Sequence, residues 1–170
     1  MSQQKTTIKI RKGYNSKQRE VIAQEIIDHI IERSKGGKDK KNNSFPSYSK
    51  SYTESKNFSI AGKSKSKVNL TLSDEMLNAI KLLKHSDGEI TIGFDKEDDR
   101  NNDVAEGNIK GTYGQSTPIR GKKRDFLGIT ASSKSDIQDQ YPLKSKKKLS
   151  DAIGKFIAAK SGGEDIDLDE

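Results

Sequence analysis

Apolar residues at the start of the chain follow two different periods. In residues 6–10 they alternate with polar residues, and this period of two predicts a short strand. Between residues 15 and 34 they recur at helical spacing, which predicts a long helix that ends at the glycine pair 36–37. Asn15 and Gln18 form a capping box at the start of this helix. Its apolar positions are Val21, Ile22, Ile26, Ile27, Ile30 and Ile31.

The middle of the chain predicts a second helix followed by a strand. Residues 68–72 alternate as a short strand or an extended lead-in. Ser73 then has the position of an N-cap, and we expect the helix after it to end near His85. Residues 87–88 are an Asp-Gly turn signal that precedes a half-buried strand. The helix has its buried stripe at Met76, Leu77, Ile80 and Leu83, and the strand is marked by Ile90, Ile92 and Phe94.

Five segments follow with weaker patterns. Residues 95–103 are an acidic connection, and residues 104–109 predict one or two helical turns. Residues 111–123 are rich in glycine and basic residues, as a loop would be. Residues 145–160 have apolar residues at helical spacing and predict an amphipathic C-terminal helix. Between the last two segments, a compact apolar strand is predicted at Phe126, Leu127 and Ile129.

Residues 35–67 lack both periods. Lys, Ser, Gly and Asn dominate this stretch, and we interpret it as a long basic loop or arm. Loops of this length in a small domain are usually functional or disordered. Its few apolar residues are widely spaced, at Phe45, Tyr48, Tyr52, Phe58 and Ile60.

Together these elements predict an α+β fold. A small antiparallel sheet packs on the long N-terminal helix and on the second helix, with the long basic arm and the C-terminal helix added. With 170 residues, 29% hydrophobic and 34% charged, the chain has material for one modest core. We expect an α+β domain over residues 1–135, with the arm at 35–67, and a C-terminal extension over residues 136–170.

The net charge of +7 and the sequence pI of about 9.4 favour a polyanionic or acidic neighbour. Residues 164–170 hold five acids and no base, so they are expected to meet basic surface on this chain or on a neighbour. The chain has no cysteine, which excludes disulfides and thiolate chemistry. It also lacks an apolar run long enough for a membrane span, so we expect no membrane partner.

Catalytic and ligand-binding motifs are incomplete. Residues 62–64 match the end of a phosphate-binding loop, but Asn57 stands where that motif requires glycine. The acids of residues 95–103 lack the spacing of a calcium loop, and a solvated turn explains them better. His29 and His85 have no second ligand at a metal-binding spacing. We therefore expect no enzymatic activity, no cofactor and no metal.

Basic residues cluster in three places that could approach nucleic-acid phosphates, at residues 63–67, 120–124 and 144–148, although a solvated surface is the simpler explanation of such clusters. No known nucleic-acid-binding motif accompanies them, so contact without sequence recognition is the stronger form of this hypothesis. The candidates for proximity to DNA are Lys63, Lys65, Lys67, Arg120, Lys122, Lys123 and Arg124.

Several pieces of the sequence resemble the tail-completion or virion-morphogenesis family of tailed bacteriophages. The first is a helix end with a Gly-Lys-Asp turn and a Phe-Pro-Ser-Tyr-Ser segment, in residues 31–39 and 45–52. The second is Val-Asn-Leu-Thr-Leu followed by Met-Leu, in residues 68–77. The last two are Ile-Gly-Phe at 92–94 and Arg-Asp-Phe-Leu-Gly-Ile at 124–129. Asp74 and the pair 42–43 depart from the family pattern, and the chain beyond about residue 136 is not covered.

The resemblance implies a structural virion protein at the head-tail junction, which forms a ring between the portal or connector and the tail. Its implied partners are copies of itself, portal, connector or adaptor proteins, and tail tube or terminator proteins, with non-specific contact to genomic DNA. Its location would be the virion, after assembly in the host cytoplasm. The candidates for subunit contact are Phe45, Tyr48, Tyr52, Phe58, Phe126 and Leu127.

A second hypothesis comes from a different functional class. A basic accessory protein that binds nucleic acid would place its lysine-rich segments between phosphates. Such a protein binds tightly at low salt with a steep salt dependence, whereas a junction subunit assembles with itself or with phage parts.

Overall fold

The computed structural model describes residues 2–60, 62–66, 68–70, 75–112 and 122–143. In these ranges the strands are β1 (Lys5–Lys9), β2 (Lys81–Ser86) and β3 (Glu89–Gly93). The helices are α1 (Ser16–Lys35), α2 (Lys50–Thr53), α3 (Lys56–Ile60), α4 (Glu75–Asn78), α5 (Asp99–Lys110) and α6 (Ala131–Asp139).

The three strands form one antiparallel sheet in the order β1-β3-β2, with β3 in the centre. Thr7 pairs with Thr91 in the middle of the β1-β3 ladder, and Lys84 pairs with Thr91 on the other side. Helix α1 packs on the sheet, chiefly against β2 and β3. The mixed α+β fold with a small antiparallel sheet on a long N-terminal helix is therefore confirmed.

The core lies between α1 and the sheet. Its fully buried side chains come from one face of α1 and from alternate positions of β3, as the two periods in the sequence require. Phe126 and Leu77 close the core from segments outside the sheet. Its largest members are Ile22, Ile26, Ile27, Ile30, Leu77, Ile90, Ile92, Phe94 and Phe126.

The boundaries of β1, α1 and β3 agree with the prediction, and so does the capping box. The Asn15 side chain accepts a hydrogen bond from the Gln18 amide at 2.9 Å, while Gln18 Oε1 accepts from the Asn15 amide at 3.1 Å. At the other end, the Lys38 amide donates to Arg33 O and the Gly37 amide donates to Ser34 O. This pair of bonds is a Schellman motif, which ends α1 at the predicted glycines.

The predicted second helix is wrong in its extent. Helix α4 ends at Asn78, and the residues expected to continue it as far as His85 form strand β2 instead. The Asp-Gly turn at residues 87–88 joins two strands of a hairpin, with Gly88 at a φ of +88°. A register shift between Leu82 and Lys84 disturbs the alternation of β2, which is why its sequence does not show a strand period.

Two further predictions are wrong for local reasons. Helix α5 begins at Asp99, within the expected acidic connection, because Asp98 caps it by accepting from the Asn101 amide at 3.1 Å. The predicted strand around Phe126 is absent, since residues 122–130 make no ladder and pack as a bent segment. Helix α6 was not predicted; Thr130 caps it by accepting from the Ser133 amide.

Several sequence-based predictions touch residues outside the described ranges. They include the strand or lead-in at 68–72, the cap at Ser73, the loop at 111–123, the helix at 145–160 and the acidic segment at 164–170. Within the described ranges, Ile137 of α6 belongs to the core cluster, so the core extends past the proposed domain boundary after residue 135. That division of the chain stays a prediction.

Candidate subunit interface

The basic arm is not the irregular loop that its composition predicts. It contains helices α2 and α3 and an isolated bridge between Lys38 and Ser44. Phe45 is only 6% exposed and belongs to the core cluster, so the arm is anchored near its beginning. Burial of one large aromatic side chain offsets part of the entropy of ordering the polar residues around it.

The arm leaves α1 through Gly37, where two chain segments approach closely. Gly37 has a φ of +82°, and a Cβ there would lie 2.4 Å from the carbonyl oxygen of Val68. Its own carbonyl accepts a hydrogen bond from the Phe45 amide at 2.8 Å. Glycine is therefore required here both for the backbone angle and for space.

Residues 124–128 hold the arm from the opposite side. The Lys40 amide donates to Asp125 O at 2.8 Å, and Lys40 Nζ lies 2.6 Å from Asp125 Oδ2. Both side chains of this ion pair are about two-fifths exposed, so its charge interaction is weak and the backbone bond matters more. The aliphatic part of Lys40 also lies against Gly128.

Arg33 joins α1 to the same segment from inside the protein. Its side chain is 8% exposed, and Nη2 donates to Phe126 O at 2.6 Å. Burial lowers the pKa of the Arg33 guanidinium, while the nearby carboxylates of Asp39 and Asp125 act in the opposite direction. One buried cation thus fixes the position of the segment that clamps the arm.

The outer part of the arm is organised by three aromatic rings. Tyr48, Tyr52 and Phe58 contact one another edge to face, with centroid separations of 5.3, 5.6 and 5.4 Å. The Tyr48 hydroxyl donates to Asn69 O at 2.9 Å and accepts from the Asn69 amide at 3.1 Å. This Tyr48 cluster is a small satellite core that ties the arm to the lead-in at residues 68–70.

Cations from two distant parts of the sequence meet at the Tyr48 cluster. Lys63 Nζ lies 5.3 Å and the Arg124 guanidinium carbon 5.5 Å from the centre of the Tyr48 ring. Lys122 Nζ donates to Ser47 O at 2.5 Å. Three of the predicted DNA-proximal residues are therefore brought together, although Lys63 is about 60 positions away from the other two in the sequence.

One apolar side chain of the arm remains in solvent. Ile60, at the end of α3, is 82% exposed, whereas Val21 and Leu143, the other exposed large apolar residues in the described ranges, are 38% exposed. The neighbouring residues Lys56 and Lys65 are also exposed. The arm thus carries an exposed isoleucine in a lysine-rich stretch of its sequence.

The predicted contact residues fall into two groups. Phe45, Phe58, Phe126 and Leu127 are buried within this chain, with exposures of 6%, 4%, 0% and 5%, and Tyr48 and Tyr52 are half-buried in the Tyr48 cluster. Their part in an interface stays a prediction. Of the DNA-proximal candidates, Lys65 and Lys123 are exposed, Lys63, Lys122 and Arg124 are half-buried, and Lys67 and Arg120 lie outside the described ranges.

Sequence patterns did not single out Arg33 or Lys40, and Ile60 was noted only as one of the few apolar residues of the arm. Arg33 lies one position outside the apolar stripe of α1. Lys40 is one of four lysines within residues 35–41. Two signals were available for Arg33: its position in the last turn of a helix next to a Gly-Gly stop, and its place in the segment 31–39 that carries the resemblance.

In the part of the chain that the structure describes, no group of His, Asp and Glu side chains has a metal-binding arrangement. No helix in these ranges is long and apolar enough to cross a membrane. Comparison of the chain with protein-family models, with curated proteins and with solved structures gives no match.

Proposed function

We propose that this protein is a non-enzymatic structural subunit of a tailed-bacteriophage particle, which forms a ring at the head-tail junction between portal or connector and tail. The proposal rests on the sequence resemblance and on one structural observation that supports it. The pieces that carry the resemblance contact one another in the fold.

These contacts join all but one of the resembling segments at the base of the arm. Gly37 of the first piece lies against Val68 of the second, and Tyr48 bonds to Asn69. Arg33 of the first piece donates a hydrogen bond to Phe126 O of the last piece. Residues that depend on one another for packing form a single structural unit, so the pattern is more informative than four separate short matches.

A ring requires two different surfaces that fit each other on successive copies. The arm, residues 35–67, carries nine lysines and two acids, together with the exposed Ile60. Residues 95–103 carry five acids and two bases, and Glu97, Asp99 and Asp103 are exposed. Contact between the lysine-rich arm of one copy and the acidic residues 95–103 of the next copy would pair opposite charges at every interface of a closed ring.

The convergence of cations on the Tyr48 cluster favours a second candidate function. A basic accessory protein would contact phosphates through Lys63, Lys122 and Arg124 without reading base sequence. Tyr48 already contacts two rings and two cations, so its face is not free to stack on a base. An occupied Tyr48 face does not affect phosphate contact, so the sequence resemblance is what places the junction-subunit function first.

Native mass spectrometry of the purified protein, alone and with isolated phage heads or tails, tests the proposal. We expect a closed oligomer or stable attachment to one of these parts. A protein that stays monomeric, ignores phage parts and binds duplex DNA with a steep salt dependence would overturn the proposal in favour of the second function.

An exposed residue on the arm gives a sharper version of this test. Ile60→Asp changes a side chain that is 82% exposed, so the fold should persist while the arm contact is lost. Val21→Asp, on the less exposed surface of α1, is the matched control and should still assemble. Circular dichroism of both variants confirms that the fold is retained.

A further inference from the structure

Strand β1 forms one edge of the sheet, and its outward groups have no strand beside them in the described ranges. The Phe94 amide donates to Gln4 O at 3.1 Å, and the Ile10 amide donates to Gly88 O at 2.9 Å. Even-numbered residues of this segment therefore direct their backbone groups towards β3. By the alternation of an antiparallel ladder, Lys5, Thr7 and Lys9 direct theirs outward.

The two faces of β1 differ in character along this edge. Lys5, Thr7 and Lys9 have exposed side chains on the open face of the sheet. Ile8 is buried on the face that meets the core, and Thr6 is half-buried there. A strand that pairs with this edge would thus need acids on one face and apolar residues on the other.

Residues 164–170 of this chain have that pattern. Asp165, Asp167 and Asp169 alternate with Ile166 and Leu168. A strand with this sequence presents its three carboxylates on one face and its two aliphatic side chains on the other. These residues lie outside the described ranges.

We propose that the free edge of β1 is a strand-docking site and that its occupant is the acidic segment 164–170 of the same chain. The carboxylates then lie beside Lys5 and Lys9 on the open face, and Ile166 and Leu168 lie beside Thr6 and Ile8. Thr7 is the centre of residues 5–9 and Asp167 is the centre of residues 165–169, so Thr7 and Asp167 are opposite each other in either strand direction.

The chain is long enough to make this contact within one molecule. Leu143 lies beside Gly13, since a Cβ on that glycine would be 3.6 Å from Leu143 Cδ2. The described chain therefore comes close to the end of β1. From residue 143 to residue 164 an extended chain spans up to about 70 Å, several times the length of a five-residue strand of about 17 Å. Tethering also gives the segment a high effective concentration at the edge.

A second copy of β1 is a poorer occupant. Two β1 edges would bring the lysines at positions 5 and 9 of both copies onto one face, where like charges oppose pairing. The docked acidic segment has the opposite effect, because it neutralises this edge and closes it against other strands. This inference does not depend on where the protein acts.

Disulfide trapping in the full-length chain tests the docking directly, because the natural sequence has no cysteine. In the double variant Thr7→Cys/Asp167→Cys, paired positions would lie within disulfide range, and we expect most of the chain to form an intramolecular disulfide under mild oxidation. The control is Thr91→Cys/Asp167→Cys. Thr91 is on the same open face but one strand further away, about 10 Å from the docked segment, so it should not cross-link.

Each other outcome overturns the proposal. Disulfide-linked dimers from a mixture of Thr7→Cys and Asp167→Cys single variants, without an intramolecular product, would show that the occupant comes from another copy. Equal cross-linking of the Thr7 and Thr91 pairs would show a loose tail without a docked strand. No cross-linking of either pair would show that the edge is not occupied.

Hydrogen exchange gives a second measurement without cysteine. In the unchanged protein we expect the outward amides of Lys5, Thr7 and Lys9 to exchange slowly. The triple variant Asp165→Lys/Asp167→Lys/Asp169→Lys reverses the charge of the acidic segment. It should speed the exchange of the three outward amides by about tenfold or more. Adding Lys5→Glu and Lys9→Glu to that variant should restore protection, and fast exchange in the unchanged protein would overturn the proposal.

Discussion

Replacing Gly37 with alanine tests how closely the arm base packs against the rest of the protein. At its φ of +82°, an alanine costs about 1–2 kcal/mol in backbone strain. The added Cβ would also lie 2.4 Å from Val68 O, a backbone atom that cannot move by rotating a side chain. Overpacking of this kind costs about 1–3 kcal/mol. Gly37→Ala should therefore lower the free energy of unfolding by about 2–5 kcal/mol.

Gly62 provides the matched control, because it lies in the same arm at a φ of +60° and has no atom within 4 Å of a Cβ built on it. Both substitutions reduce the freedom of the unfolded chain to a similar degree, so this effect cancels in their difference. We expect Gly62→Ala to cost about 1–3 kcal/mol less than Gly37→Ala. Urea unfolding followed by far-UV circular dichroism measures both. Equal losses would refute the close contact between Gly37 and Val68.

Three further predictions concern single side chains outside the arm. Burial, reinforced by Arg33, lowers the pKa of His29, so the stability linked to this residue is present above pH 6.5, its usual pKa, and is lost as the pH falls through the lower folded pKa. When the pH falls from about 7.5 to about 5.5, His29→Gln should therefore lose less free energy of unfolding than the natural protein. Parallel curves of unfolding free energy against pH for the two proteins would contradict this. Asn102 is 2% exposed, accepts a hydrogen bond from the Gln4 amide at 2.7 Å and donates to Asp95 O and Asp98 O. Asn102→Ala should therefore lower the free energy of unfolding in urea by about 1–3 kcal/mol. An unchanged urea midpoint would contradict these hydrogen bonds. Asn15→Ala should cost about 1 kcal/mol through loss of the capping box, and Asn15→Gly only a few tenths; a reversed order would contradict the cap.

Elements with an uninterrupted period were predictable from the sequence. Helix α1 has apolar residues at helical spacing from Val21 to Ile31, with a cap and a glycine stop at its ends, and β3 alternates cleanly. Strand β2 was mistaken for a helix because its register shift at Leu82 breaks the alternation. Helix α6 has only Ile137 as a buried apolar residue, so its sequence carries almost no period.

The arm and its anchor were predictable only in part. Its aromatic residues were singled out as contacts to neighbouring subunits, and in the structure they pack on their own chain. Spacing alone cannot distinguish a ring that meets a neighbour from one that packs within its own chain. The contacts that order the arm depend on residues far away in sequence, such as Asp125 for Lys40 and Asn69 for Tyr48. Composition shows only that the arm is polar. It carries no information on hydrogen bonds that form only after the rest of the chain has folded.

The way in which the arm is ordered bears on how it could act in an assembly. An arm without contacts would lose its conformational entropy at the moment of assembly, which weakens binding for a given contact area. Here Phe45 and the Tyr48 cluster already hold the arm in each copy, so this entropy has been lost during folding. The exposed Ile60 and the lysines near it are then presented on a preorganised support. Substitutions that loosen the arm base, such as Gly37→Ala, should therefore weaken assembly without altering any residue of the contact surface.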